Sequence, residues 1–327
     1  MTTAKAIRIR KTGDPEVLSL EEVDVPSPGP DEVLLHQQAI GVNFIDTYHR
    51  SGLYPVDSLP AGIGVEAAGV VERLGDDVDH LSEGDRVAYV GGTPGAYAER
   101  RVVPADKLVK LPDDIDASTA AAMMLQGMTV EYLVRRCFEV NEHHTVLLHA
   151  AAGGVGLIAC QWLRHLGATV IGTVSTEEKA GLARDHGCDH PVIYTEENFV
   201  ERVDELTDGA GVDVVYDSVG KDTLQGSLDS LTRRGTCVSF GNASGRPEPI
   251  DPLELSRRGS LYLTRPSLFD YIATGDELQA SAKALFKLVR SDVLDIHAQH
   301  TWPLAEAADA HRALEGRKTT GSIVLHP

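Results

Sequence analysis

A glycine-rich turn set between two apolar segments restricts this chain more than any other feature. Thr145–His149 reads as a short strand. The run Ala150-Ala151-Ala152-Gly153-Gly154-Val155-Gly156 follows, and an apolar helix pattern continues to Leu166 before stopping at Gly167. Strand, glycine turn and helix in that order make the phosphate-binding unit of dinucleotide folds. Gly153 lets the backbone approach a pyrophosphate, and Gly156 lets the helix pack closely on the strand. The amides at the helix start favour negative charge. Ala151 replaces the first glycine of G-x-G-x-x-G. A glycine turn without a ligand is the bland alternative, and the segments that follow argue against it.

From 126 to 264 strands and helices alternate. Thr169–Val174, Val192–Tyr194, Val212–Tyr216, Thr236–Phe240 and Ser260–Thr264 read as strands. Glu177–His186, Phe199–Leu206 and Leu224–Leu231 read as helices, with Phe199, Val200, Val203 and Leu206 at helical spacing. Such alternation implies an α/β fold with a doubly wound parallel sheet. Residues 1–125 differ: short β patterns such as Val33-Leu34-Leu35 and Arg86–Val90 are punctuated by turns, which suggests an antiparallel, barrel-like unit. The tail, 265–327, offers helices at Leu278–Val289 and Ala305–Leu314 and a last strand at Gly321–Leu325. It is too short to fold alone and is expected to return to the first unit.

Composition narrows the partners. Asp and Glu total 49 against 30 Lys and Arg, a net charge of −19. Such a surface repels phosphate backbones and acidic membrane faces, so no nucleic acid partner is expected. No apolar run is long enough to span a membrane, and the N-terminus MTTAKAIRIRK has no apolar h-region. Cys137, Cys160, Cys188 and Cys237 form no CxxC, which fits reduced thiols in a cytoplasm.

The end of the second strand selects the dinucleotide. An NAD site wants a carboxylate there, but Val174 is followed by Ser175. Ser175-x-x-Glu178 fits a capping box that would commit Glu178 to the next helix. Lys179 suits a 2′-phosphate, although a solvated surface lysine would look the same. The reading is NADP rather than NAD.

At this point the chain resembles a known family. AIGVNFIDTYHRSGLYP (39–55), GVEAAGVV (64–71), GDRVAY (84–89), GAYAE (95–99), HAAAGGVGLIACQW (149–162), VVYDSVG (214–220), SFGNASG (239–245) and GSLYLTRPSL (259–268) are similar, in order, to the zinc-free quinone oxidoreductases of the medium-chain dehydrogenase/reductase superfamily, the bacterial NADPH:quinone reductases above all. The resemblance implies a GroES-like β-rich catalytic domain, 1–125 with 265–327, beside a Rossmann domain, 126–264. It also implies an NADPH cleft between them and a homodimer formed near Ser260–Thr264. It further assigns Asn43 and Thr129 to the nicotinamide end, and Gly154 and Val155 to the pyrophosphate. Ser175, Lys179 and Tyr194 are assigned to the 2′-phosphate. Ser218, Phe240, Gly241 and Asn242 go to the adenine and ribose side, and Thr264, Arg265, Pro266 and Arg317 to the closure over the cofactor.

Zinc relatives carry a cysteine and a histidine where this chain has Asn43 and Val65, and neither residue can ligate zinc in their place. His36, His49 and His149 have no ligand-set spacing. Without a Lewis acid the acceptor must already be electrophilic, as a quinone or other conjugated carbonyl compound is. Tyr48 and Tyr54 are candidate donors to its oxygen, or only walls of its pocket, with Asn43 beside them. Two alternatives stand next to a quinone reductase: an enone or acryloyl-type alkene reductase on the same scaffold, and an NADPH-binding structural or RNA-binding protein.

Overall fold

The computed structural model describes residues 2–327, which divide into two compact units. The first runs to Gln126 and takes up Ile272–Phe286 and Ile296–Pro327; the second comprises Gly127–Tyr271 and Lys287–Asp295.

The first unit is built from β1 (Thr2–Ile9), β2 (Ser19–Val25), β3 (Glu32–Val42), α1 (Phe44–Ser51), β4 (Ala61–Gly62), β5 (Glu66–Leu74), β6 (Arg86–Val90), β7 (Arg100–Pro104) and β8 (Leu108–Lys110). The helix α2 (Ala117–Tyr132) begins in this unit. Strand β3 is its spine: it pairs antiparallel with β5 and with β7, and β5 pairs on with β6 and β6 with β8. Helix α1 follows β3 directly. Asp46, at its third position, reaches back to accept the Asn43 amide at 2.8 Å, and Gly52 ends it in the left-handed region, φ 86°.

The second unit continues with β9 (Thr145–Leu148), α3 (Gly154–His165), β10 (Thr169–Val174), α4 (Glu177–Asp185), β11 (His190–Ile193), α5 (Phe199–Leu206), β12 (Val212–Asp217), α6 (Leu224–Asp229), β13 (Leu231–Ser239), α7 (Pro252–Arg257), β14 (Tyr262–Thr264) and α8 (Leu268–Tyr271). Its six strands are all parallel in the order β11-β10-β9-β12-β13-β14. The chain reverses direction across the sheet between β9 and β12, which opens a crevice at the carboxyl ends of those strands. Leu147, Ile171, Val192, Val215 and Cys237 from five of these strands are buried in one cluster with Val203, Leu224 and Leu228.

The tail adds α9 (Gly275–Arg290), β15 (His300–Pro303), α10 (Ala307–Glu315) and β16 (Ile323–His326). Strand β16 pairs antiparallel with β3, Ile323 opposite Val42. Leu304, Ala307, Ala310, Ile323 and Leu325 join Ile7, Val33, Leu35 and Ile40 in the first unit's core. Each large apolar side chain so buried contributes about 1.5–3 kcal/mol.

Three local expectations need correction. The division expected at 264 falls after Tyr271, and Lys287–Asp295 also belongs to the second unit. The cause is local bonding: Arg136 donates to Tyr271 O, and Gln161 bonds the Asp295 backbone in both directions. The cap of α4 is Thr176, whose hydroxyl accepts from the Lys179 amide, and not Ser175. Leu231 opens β13 instead of closing α6, because Gly211 and Val212 turn onto it from the neighbouring strand.

Candidate functional site

The cofactor turn forms where β9 ends. Ala150 adopts φ 55°, a left-handed conformation rare for alanine. Gly153 then takes the cap position of α3, and no acidic residue lies in that helix's first turn. A Cβ on Gly156 would run into the backbone of Ala150 and Ala151. The glycine is therefore fixed by packing, as its place in the pattern predicts. Gly153, Gly154 and Val155 present a helix start that no side chain caps and no acid in the first turn compensates, a cradle that suits a pyrophosphate.

Ser175, Lys179 and Tyr194 are brought together. Parallel pairing sets Val174 beside Ile193, so Ser175 and Tyr194 are the next residues off adjacent strands. The Thr195 hydroxyl ties this corner by donating to Ser175 O at 3.0 Å. Lys179 stands in the first turn of α4 above it, and Tyr194 is among the exposed large side chains. No carboxylate closes the strand end; Glu177 is drawn away to Arg184.

Ser218, Phe240–Asn242 and Thr264–Pro266 form a second group at the carboxyl ends of β12, β13 and β14. Phe240 N donates to Asp217 O at 2.8 Å, and Ala243 N to Ser218 O at 3.2 Å. The Arg265 guanidinium donates to Ser239 O at 2.8 Å and to Gly241 O at 3.2 Å, so it holds the loop's carbonyls. Thr129 is buried on α2. Arg317 lies in the first unit, in a left-handed turn just past α10.

Asn43, Tyr48 and Tyr54 are also in the first unit. The Tyr48 and Tyr54 rings meet edge to face, centroids 5.1 Å apart, and Tyr54 N donates to Tyr48 O at 3.1 Å. Asn43 is buried at the cap of α1. Its Nδ2 donates to Glu66 Oε2 at 2.7 Å, and its Oδ1 accepts from Gln126 Nε2 at 3.2 Å. Glu66 Oε1 accepts the Leu125 amide at 2.7 Å, and the Ser322 hydroxyl lies 2.6 Å from Gln126 Oε1.

These partners of Asn43 were not foreseen, and neither was a second buried chain behind them. Asp46 Oδ2 accepts from Tyr97 at 2.9 Å; Tyr97 Oη lies 3.0 Å from His311 Nε2, and His311 Nδ1 lies 3.2 Å from Arg50, which pairs with Glu315. Burial raises the Glu66 carboxyl to about 8 and Asp46 to about 7, and holds His311 down to about 3. One signal in the sequence could have revealed Asp46: an asparagine followed three residues later by an acid. Glu66 adjoins Val65 in the sequence, but nothing local to that segment marks it as a partner of Asn43.

Asn43 and Val65 provide neither thiolate nor imidazole, and among the described residues no group of three or more His, Cys, Asp or Glu is arranged to hold a metal ion.

Comparison with known proteins agrees in its extent. The alcohol dehydrogenase GroES-like domain family matches residues 29–113, and the family described as zinc-binding dehydrogenase matches 154–287. The quinone oxidoreductase of Pseudomonas aeruginosa is 52% identical over 324 residues, covering 99% of this chain and 100% of that protein. The 2-haloacrylate reductase of a Burkholderia species is 50% identical, covering 98% of each. The crystal structure of Escherichia coli quinone oxidoreductase complexed with NADPH superimposes with a TM-score of 0.97 at 48% identity, covering 100% of both chains.

Proposed function

This chain belongs to the quinone oxidoreductase family of the medium-chain dehydrogenase/reductase superfamily, and from that premise we propose that it reduces quinones with NADPH and without zinc. The full-length identity to quinone oxidoreductases carries the reading. The uncompensated start of α3, and Ser175 with Lys179 where an NAD site would hold a carboxylate, support the cofactor.

NADPH, when bound, supplies the hydride. The residues of this chain bind and orient. In this reading Gly153, Gly154 and Val155 receive the pyrophosphate through backbone amides, and Lys179 with Ser175 and Tyr194 receives the 2′-phosphate. Thr129 and Asn43 serve the nicotinamide end, with Asn43 fixed by Glu66 and Gln126. Ser218 and Phe240–Asn242 serve the ribose and adenine, and Thr264–Pro266 and Arg317 close the site. Tyr48 and Tyr54 serve the acceptor, where a phenol can donate to an oxygen as negative charge develops.

The 50% identity to a 2-haloacrylate reductase favours one second reading, a conjugated alkene as the acceptor. The enzyme is further proposed to work in the cytoplasm, where its four unpaired cysteines stay reduced, and as a homodimer. The test is a steady-state comparison of benzoquinones, naphthoquinones, enones and 2-haloacrylate, with NADPH or NADH, before and after EDTA. Quinones with NADPH should give the highest kcat/KM, unchanged by the chelator. A preference for haloacrylate would select the second reading; turnover of no acceptor would overturn both.

A further inference from the structure

His149 follows the last residue of β9 and directly precedes the cofactor turn, and it is buried with nothing in the proposed chemistry to occupy it. Its ring is bonded at both nitrogens. Nδ1 lies 3.0 Å from Thr173 Oγ1, and Nε2 lies 3.0 Å from Ser227 Oγ. The edges of this arrangement fix the direction of every bond in it. Asp217 is surrounded by donors: Val219 N and Gly220 N at 2.9 Å, the Thr223 hydroxyl at 2.9 Å, and the Ser227 hydroxyl at 2.7 Å. Ser227 therefore spends its one proton on Asp217 and must accept from His149, so Nε2 carries the ring proton. Nδ1 is then an acceptor, and Thr173 donates to it. Thr173 Oγ1 in turn accepts the Ala150 amide at 3.3 Å.

The result is one unbroken line: Ala150 N–H to Thr173, Thr173 to His149, His149 to Ser227, Ser227 to Asp217. Thr173, Ser227 and Asp217 are buried. Burial also lowers the pKa of His149, which keeps the ring neutral, as the line requires. The Phe199 ring closes one side edge to face at 5.0 Å.

Both ends of the line lie in cofactor loops. Ala150 is the left-handed residue that aims the turn toward Gly153. Asp217 anchors the loop of Ser218 through Val219 and Gly220, and through its own carbonyl it anchors Phe240. A left-handed alanine is strained and persists only where its surroundings hold it.

We propose that His149 is a positioning residue for the dinucleotide: held as the Nε2–H tautomer between Thr173 and Ser227, it locks the turn after β9 to the loops after β12 and β13 in the shape the cofactor meets. This rests on the reading that the cofactor is NADPH. The lock makes a specific division of effects. Breaking it loosens the loops before binding, so the loss falls on NADPH affinity and KM more than on kcat at saturating NADPH.

The test uses the full-length protein and NADPH. Thr173→Val removes the hydroxyl at constant shape, Thr173→Ser restores it, and Ser227→Ala cuts the line on the far side of the ring. Thr173→Val and Ser227→Ala should each raise the NADPH Kd about 10-fold. Thr173→Ser should stay within about 2-fold of wild type, and the double variant should lose less than the product of the single losses, because both act through His149. If Thr173→Val does not fold, Ser227→Ala carries the same expectation. Wild-type Kd in the folded variants, or a loss that the serine fails to rescue, overturns the inference while the function stands. Wild type that binds no NADPH overturns the cofactor reading and the inference with it.

Discussion

Glu66 is a carboxyl group sealed away from water, and its proton is a stability variable. Burial raises it to about 8, against the pull of the Leu125 and Asn43 donors, with the Asp46 charge adding to the rise. An unfolded chain releases that proton near the ordinary value of about 4.3. Between the two values the folded state binds more protons than the unfolded one, so this stabilisation is complete below about 4.3 and is lost as pH rises through about 8. Asp46 acts in the same direction up to about 7. His311, depressed to about 3, acts oppositely below its ordinary value and is silent above it. Wild type should therefore become progressively less stable relative to Glu66→Gln as pH is raised from 5 to 9, read as the difference in Tm. A difference that stays flat over that range would show that Glu66 is ionised throughout. Two further residues are tested by kinetics. Lys179→Ala should raise the KM for NADPH roughly 10- to 100-fold, the value of a charge-assisted contact, and hardly alter that for NADH. Tyr48→Phe or Tyr54→Phe should lower kcat/KM roughly 3- to 30-fold, because a quinone needs less help from an acid than a ketone does. Full activity in the double variant with every acceptor would make the pair walls only.

At the scale of elements, two glycines on helices of the second unit give opposite expectations. A Cβ on Gly156 meets backbone, the Ala150 carbonyl and Ala151, which no side-chain rotation can relieve. Gly156→Ala should cost about 1–3 kcal/mol and weaken NADPH binding, because the displaced atoms are the cofactor turn itself. A Cβ on Gly181 in α4 meets nothing within 4 Å. Gly181→Ala should therefore raise Tm, by the roughly 0.5–1 kcal/mol that a helical glycine forfeits. If both behave alike, packing does not explain the glycine in the turn. The same contrast shows what was legible beforehand. The turn after β9 was readable because its glycines sit at fixed offsets inside a local strand–helix signal, and the alternating strands likewise announce their own period. The cap of α4 slipped by one residue, since Ser175 and Thr176 are equally good caps and only the strand end decides between them. The partners of Asn43 were hidden for another reason. Glu66 and Gln126 lie 23 and 83 positions along the chain from it; the pairing of β3 with β5 brings Glu66 to its side, and Gln126 comes from helix α2, where Ser322 bonds it in turn. The His149 line is likewise drawn from the turn after β9, two further strands and a helix, so no local pattern announces it.

For the whole molecule the open question is how the parallel sheet ends. It has two edges, and they are not equivalent. Strand β11 carries Pro191, which has no amide to offer a further strand and blunts that side. Strand β14 has no proline, and its Tyr262 is 63% exposed. Leu253 on α7, nine residues before it, is 60% exposed. A strand edge with exposed apolar side chains can accept a further strand, and a second copy meeting it about a two-fold axis would set β14 antiparallel against its own image. Charge opposes this: two chains at −19 each repel, so the association must draw on backbone pairing and apolar contact and should tighten as salt screens the repulsion. Light scattering should give twice the mass of one chain at micromolar concentration, and the dimer should persist to lower protein concentration at 0.5 M than at about 0.05 M salt, where the screening length is several times longer. Tyr262→Asp places a charge on each side of the two-fold and should shift the population to monomer, with the circular dichroism spectrum of a folded chain retained. A variant that stays dimeric would move the interface away from β14. A wild type that is monomeric at both salts would mean that the exposed Tyr262 and Leu253 are covered by nothing of this chain's own.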